Sequence, residues 1–158
     1  MQAVSGGRAY LIRYYAVAQP VPNPFVPVCR LSETEKVYEA EPEDALFGFS
    51  PRPREVISSH FARGHVCLVA TIKRVLGGFL WFAREYYDED QVYCRFVLVE
   101  PESCVRDYDV HVEPHFRMGR TFARLWDEAN QRLLILALSG VVLESRHSTG
   151  NPFSLTSA

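Results

Sequence analysis

Asp109, His111 and Glu113 alternate along one short segment, and Pro114, Arg117, Gly119 and Arg120 follow directly. In an extended strand that spacing puts the three titratable side chains on one face. A carboxylate and an imidazole so placed could accept or return a proton in a group transfer. They could equally be the polar edge of a half-buried strand. The residues after them point to a second chemistry. Gly119 and Thr121 leave backbone N–H groups accessible at the start of a helix, with Arg117 and Arg120 beside them. Free N–H groups plus positive charge at a helix N-terminus make an anion site suited to a phosphate. The other reading is an ordinary strand–turn–helix joint carrying surface arginines.

Other constellations carry less. His111 and His115 have helical i, i+4 spacing, but Pro114 lies between them, so they would not share a helical face and no metal site is expected. Ser145 and His147 share a strand face without a nucleophile elbow before them, which speaks against a serine hydrolase. Asp88-Glu89-Asp90 reads as a solvated turn. Cys29, Cys67, Cys94 and Cys104 form no C-x-x-C pair, and reduced, mostly buried thiols are expected.

The elements that must position these groups are legible in outline. Phe122, Leu125, Trp126, Ala129, Leu133, Leu136 and Ala137 recur at helical spacing and predict a long amphipathic helix over about Gly119 to Leu138, stopped at Gly140. Strands are expected at 8–17, 65–73, 75–87, 91–99, 105–112 and 141–148, the last parallel to the one before the helix. A tight turn at Lys73-Arg74 joins two of them, and Gly77-Gly78 suggests a bulge or a close backbone approach. The four prolines between Gln19 and Val28 make an extended connection. Ser32 and Glu35 read as a capping box opening a short helix towards Ala40. Arg54 to Arg63 reads as a helix begun by Pro53 and ended by Gly64.

A chain of 158 residues, 47% hydrophobic and 23% charged, is long and apolar enough for one folded domain over 1–158. A net charge of −2 gives no basic excess, so no nucleic acid partner is expected. The longest apolar run, Leu133 to Leu143, is interrupted by Ser139-Gly140 and too short to span a bilayer, so no membrane partner is expected either. The first residues show no signal-peptide core, and a cytoplasmic location is expected.

The segment Pro114 to Trp126, with the strand before it, resembles motif A of the GCN5-related N-acetyltransferases (GNAT). There a central strand leads into an Arg/Gln-x-x-Gly-x-Gly/Ala turn. Arg117 fits the first position, Arg120 stands where the family usually has glycine, and Phe122 where it has glycine or alanine. Ser145-Arg146 and Asn151 to Ser154 resemble the end of the fifth strand and the start of the last helix.

The resemblance implies an α/β (α+β) fold with a mixed, mostly antiparallel central sheet flanked by helices. It implies acetyl-CoA, or another acyl-CoA, as co-substrate, and no metal. The activity implied is transfer of the acyl group to an amine of a small molecule or peptide. It assigns the pyrophosphate to Arg117, Met118, Gly119, Arg120, Thr121 and Phe122, and the donor carbonyl to backbone N–H groups of Val110 to Val112. It places an Asn, here Asn151, at the cofactor. Asp109 and His111 become the candidate bases, better placed than Glu113. The family's thiolate acid is a tyrosine in the last helix. This chain has Phe153 and Ser154 there, so Ser154, acting through water, becomes the candidate. A non-catalytic acyl-CoA-binding or interaction module is the alternative. The closing strands of the family are not seen in this sequence, so an open edge at 141–148 is expected to support a homodimer.

Overall fold

The computed structural model describes residues 8–9, 13–28, 33–89, 94–147 and 153–154. The strands are β1 (Arg8–Ala9), β2 (Arg13–Pro20), β3 (Glu35–Glu39), β4 (Val66–Ile72), β5 (Val75–Ala83), β6 (Tyr86–Glu89), β7 (Cys94–Val97), β8 (Cys104–Val112), β9 (Gly140–His147) and β10 (Phe153–Ser154). The helices are α1 (Arg54–Ala62) and α2 (Thr121–Ile135), with short 3-10 turns at Ala45–Phe49 and Pro114–Phe116. Six strands form the main sheet in the order β2-β9-β8-β5-β4-β3, with β8 and β9 parallel and the other pairs antiparallel. The mixed sheet flanked by helices is the expected architecture.

The central strands are apolar on both faces because both are covered. Cys67, Val69, Phe79 and Trp81 pack towards α1 with Phe47 and Ile57. Leu68, Ala70, Leu80 and Phe82 pack towards α2 with Leu125, Ala129 and Leu133. The tight turn between β4 and β5 is as expected, with positive φ at Lys73 (51°) and Arg74 (69°), the backbone a two-residue hairpin loop requires. Both readings of Gly77-Gly78 hold. The β4–β5 register shifts there, and a Cβ on Gly78 would lie 2.4 Å from the His111 carbonyl oxygen. α1 ends as expected at Gly64, whose φ is +75°.

Several expectations fail for identifiable reasons. Glu35–Glu39 is a strand, not a helix: it pairs along β4, and a ladder on an already formed sheet outweighs a helix of about two turns. Asp88 and Glu89 belong to strand β6 rather than a solvated turn, and Glu89 is buried. α2 is shorter than expected and ends at Ile135, with Leu136 as its C-cap and Ala137 in the left-handed region (φ 57°), while Gly140 already belongs to β9. Phe153–Ser154 pairs with β1 instead of starting a helix.

The largest correction concerns the edge. β9 is an interior strand, because β2 pairs antiparallel with it from Arg13↔His147 to Pro20↔Gly140. The N-terminal strand β2 therefore sits where an open edge was expected. A homodimer through that edge would find its backbone groups already bonded.

Gly78→Ala should destabilise the protein by about 1–3 kcal/mol, because the methyl meets backbone that cannot swing away. Urea unfolding of the two proteins measures it, and an unchanged midpoint would contradict the packing described.

Candidate active site

β8 is bonded to its neighbours unequally. It pairs with β5 from Arg106 to Val112 but with β9 only at Cys104, Val105 and Arg106. Beyond Arg106 and Val142 the two parallel strands part. Glu113 donates its N–H to Gly77 O on the β5 side, so by alternation the backbone groups of Val112 and Val110 face the parting. Arg117 folds back there, its Nε donating to Val112 O at 3.0 Å.

Immediately above, the chain turns into α2. The Arg117 N–H bonds Pro114 O, and the Gly119 N–H bonds Phe116 O. Among the described residues the N–H groups of Arg120, Thr121, Phe122 and Ala123 have no backbone acceptor, as the first turn of a helix requires. Thr121 is buried, and the Met118 side chain is fully exposed. Phe122 does not pack inward as the helical periodicity implied. It is 53% exposed, edge-on to Trp126, because the parting of β8 and β9 leaves no sheet beneath it.

A cavity of about 600 Å³ lies between α2, β8, β2 and the proline-rich segment, which crosses α2 with the Val28 N–H donated to Asp127 Oδ1. Its walls are mostly apolar, with Val17, Val28, Val110, Phe122 and Trp126 among them. Asp107 and Asn130, both more than nine-tenths buried, are polar groups in that lining.

Asp107 arrives there through a β-bulge. Trp81 is opposite Asp109 and Phe82 is opposite Asp107, so Tyr108 is an extra residue in β8. Asp107 and Val110 consequently face α2, whereas Asp109 and His111 face α1. Asp109 accepts a bidentate pair of hydrogen bonds from Arg52 at 2.8 and 2.7 Å. His111 stacks on Phe79 and shares a 3.1 Å hydrogen bond with Glu113. The expected common face of Asp109, His111 and Glu113 exists, on the side of the sheet away from this cavity. Ser154 lies in β10, opposite Arg8, and Asn151 falls outside the described residues.

Asp107 was missed because strict alternation groups it with Asp109. Burial pushes its carboxyl up to about 6; Arg106 opposes that shift and Asp109 adds to it. No hydrogen bond to the carboxyl is present among the described residues, which also contain no group of three His, Cys, Asp or Glu placed to hold a metal.

No family model matches the chain, and no curated protein matches it. Solved structures do. A functionally unknown conserved protein from Staphylococcus epidermidis ATCC 12228 superposes with a TM-score of 0.57 at 9% identity, over 91% of this chain and 55% of that one. The chain thus spans little more than half the length of that protein. A possible acetyltransferase from Clostridium difficile 630 superposes with a TM-score of 0.50 at 14% identity, over 75% of this chain and 84% of that one. With the sheet order, the parallel β8–β9 pair and the helix between them, this gives the chain the GNAT fold.

Asp107 makes the stability depend on pH. Below about pH 4 its carboxyl is protonated in folded and unfolded chains alike. As pH rises the unfolded chain ionises first, so stability is lost until pH passes about 6. Asp107→Asn should leave stability unchanged near pH 4 and raise it by about 2–3 kcal/mol at pH 8, at 1.36 kcal/mol for each pH unit separating the two pKa values. Chemical denaturation at both pH values reads this difference.

Proposed function

We propose that the protein moves an acyl group from a CoA thioester to an amine by direct attack. The observation that carries the reading is the parting of β8 from β9 directly below the N-terminus of α2. An opening of that kind offers backbone donors of β8 to a carbonyl and helix N–H groups to a phosphate, with no side chain required for either. The pyrophosphate would lie across Arg117 to Phe122, with Arg120 supplying charge from the rim. The thioester carbonyl would accept from the N–H groups of Val110 and Val112.

The amine must lose a proton, and β8 supplies the candidates. Asp109 and His111 reach it from the α1 face, and Asp107 reaches it from the cavity. Ser154, relaying a proton to the leaving thiolate, and Asn151, meeting the cofactor, belong to the same proposal. A cytoplasmic site of action also belongs to it; among the described residues no helix is long and apolar enough to cross a membrane.

A binding module without turnover is the second reading, favoured by Phe153 and Ser154 standing where the resemblance places the tyrosine that serves the leaving thiolate.

Calorimetry with acetyl-CoA tests the donor site. Arg120→Ala should weaken binding roughly tenfold or more, since charge-assisted hydrogen bonds are worth about 1.5–3 kcal/mol. Arg117→Ala should weaken it as well, and should free the Val112 carbonyl. Unchanged affinity in both variants would remove the phosphate from this turn. Release of CoA thiol in the presence of amines separates the enzyme from the binding module.

A further inference from the structure

Asp107 is a carboxyl group more than nine-tenths buried, in the lining of an apolar cavity, with no hydrogen-bond donor of its own among the described residues. Burial of that kind without a partner is costly, and a ligand that supplies the missing donor relieves the cost. We infer that the cavity between α2 and β8 is a site for a small primary ammonium ion with an apolar body, and that Asp107 is its counter-ion.

The surroundings narrow the ligand. Arg106 is the cation nearest in sequence, but its guanidinium lies 3.9 Å over the Phe96 ring and 5.3 Å from that of Tyr87, away from the cavity. Asp127, on α2, also lines the cavity and accepts the N–H of Val28. Asp109, the remaining acid on β8, is turned to the other face and held by Arg52. β5 presents Phe82 opposite Asp107, and β2 presents Val17 and Gln19, none of them charged.

Asp107 thus stands among mostly apolar walls, with Asn130 and Gln19 as the neutral polar groups and Asp127 engaged at the Val28 N–H. A monoamine on a hydrocarbon or aromatic body matches both features. A polyamine would have to set its further charges against Val17, Val28 and Val110, or draw Asp127 away from the Val28 N–H. The volume, about 600 Å³, is that of a small-molecule site.

The ammonium site stands on this geometry alone; its role as acyl acceptor rests on the proposed transfer. In that role the ammonium gives one proton to the Asp107 carboxylate. The nitrogen lone pair then forms the C–N bond to the acyl carbon, the C–S bond breaks, and the departing CoA thiolate takes the second proton from nitrogen.

The test is calorimetric titration of the full chain with hexylamine, phenethylamine and hexanol. At pH 7.5 the amines should bind one per chain, at least tenfold more tightly than the alcohol. At pH 5 the carboxyl is mostly protonated while the amines keep their charge, so amine affinity should fall roughly tenfold. Asp107→Asn, which the stability argument expects to fold well at pH 7.5, should bind amine and alcohol alike.

Equal affinity for hexylamine and hexanol, or amine binding unaltered in Asp107→Asn, would overturn the inference. So would displacement of the amine by acetyl-CoA, which would assign the cavity to the donor's arm. Acetyl-CoA binding without amine binding leaves acyl transfer standing and removes the ammonium site. Amine binding without acetyl-CoA binding does the reverse.

Discussion

Everything at the candidate site follows from one strand that pairs with β9 over its first three residues and, from Arg106 onward, with β5 alone on the other side. A buried backbone group without a partner is costly, so a half-paired strand inside a sheet is stable only if something else meets its free edge. Arg117 meets Val112 O, and the N-terminus of α2 stands over the same opening. The remaining groups face a space large enough for a ligand. The parted strands are held open by neighbours that cannot follow them. β5 fastens β8 on one side, and β2 fastens β9 on the other.

The bulge in β8 has its own anchor. Tyr108 stacks on Tyr87 with ring centres 4.2 Å apart, meets the His60 and His65 rings edge-on, and places its hydroxyl 2.8 Å from His65 Nδ1. Burial, with His60 and Arg63 nearby, lowers His65 to about 4, so the imidazole is neutral at physiological pH. A neutral ring can sit against His60 and Tyr108 without the cost of a buried charge. This aromatic group fixes the extra residue on the α1 face. It thereby decides which carboxylate of the strand meets α1 and which meets the cavity.

These relations explain how far the sequence could be read. β4 and β5 were legible as unbroken apolar runs, and α1 and α2 because their apolar residues keep a helical period, with turn residues between or after them. The turn at Lys73-Arg74 and the close approach at Gly78 were legible from local chemistry. Strand β3 was not, since EKVYE has no strong period and its preference comes from the β4 edge it meets. Asp107 was hidden for another reason. One inserted residue reverses the alternation of a strand, and nothing in Arg106-Asp107-Tyr108-Asp109 marks which residue is the insertion. The exposure of Phe122 depended on a parting of strands that helical periodicity cannot reveal. The turn before α2 was readable as an anion site because that reading needs only residue types next to a helix start.

The pairing of β2 with β9 bears on how the chain reaches this state. Pro20 is paired with Gly140, so almost all of the remaining fold lies within a single loop closed by that contact. Closing so long a loop is entropically expensive until the intervening strands and helices have condensed. Loop closure therefore favours late docking of β2, on a sheet already assembled from β3, β4, β5, β8 and β9. Until it does, β9 is an exposed edge and the cavity lacks one wall. During synthesis β2, which precedes the other five strands of the main sheet, is thus among the last of them to be placed, and the binding space takes shape only at that step.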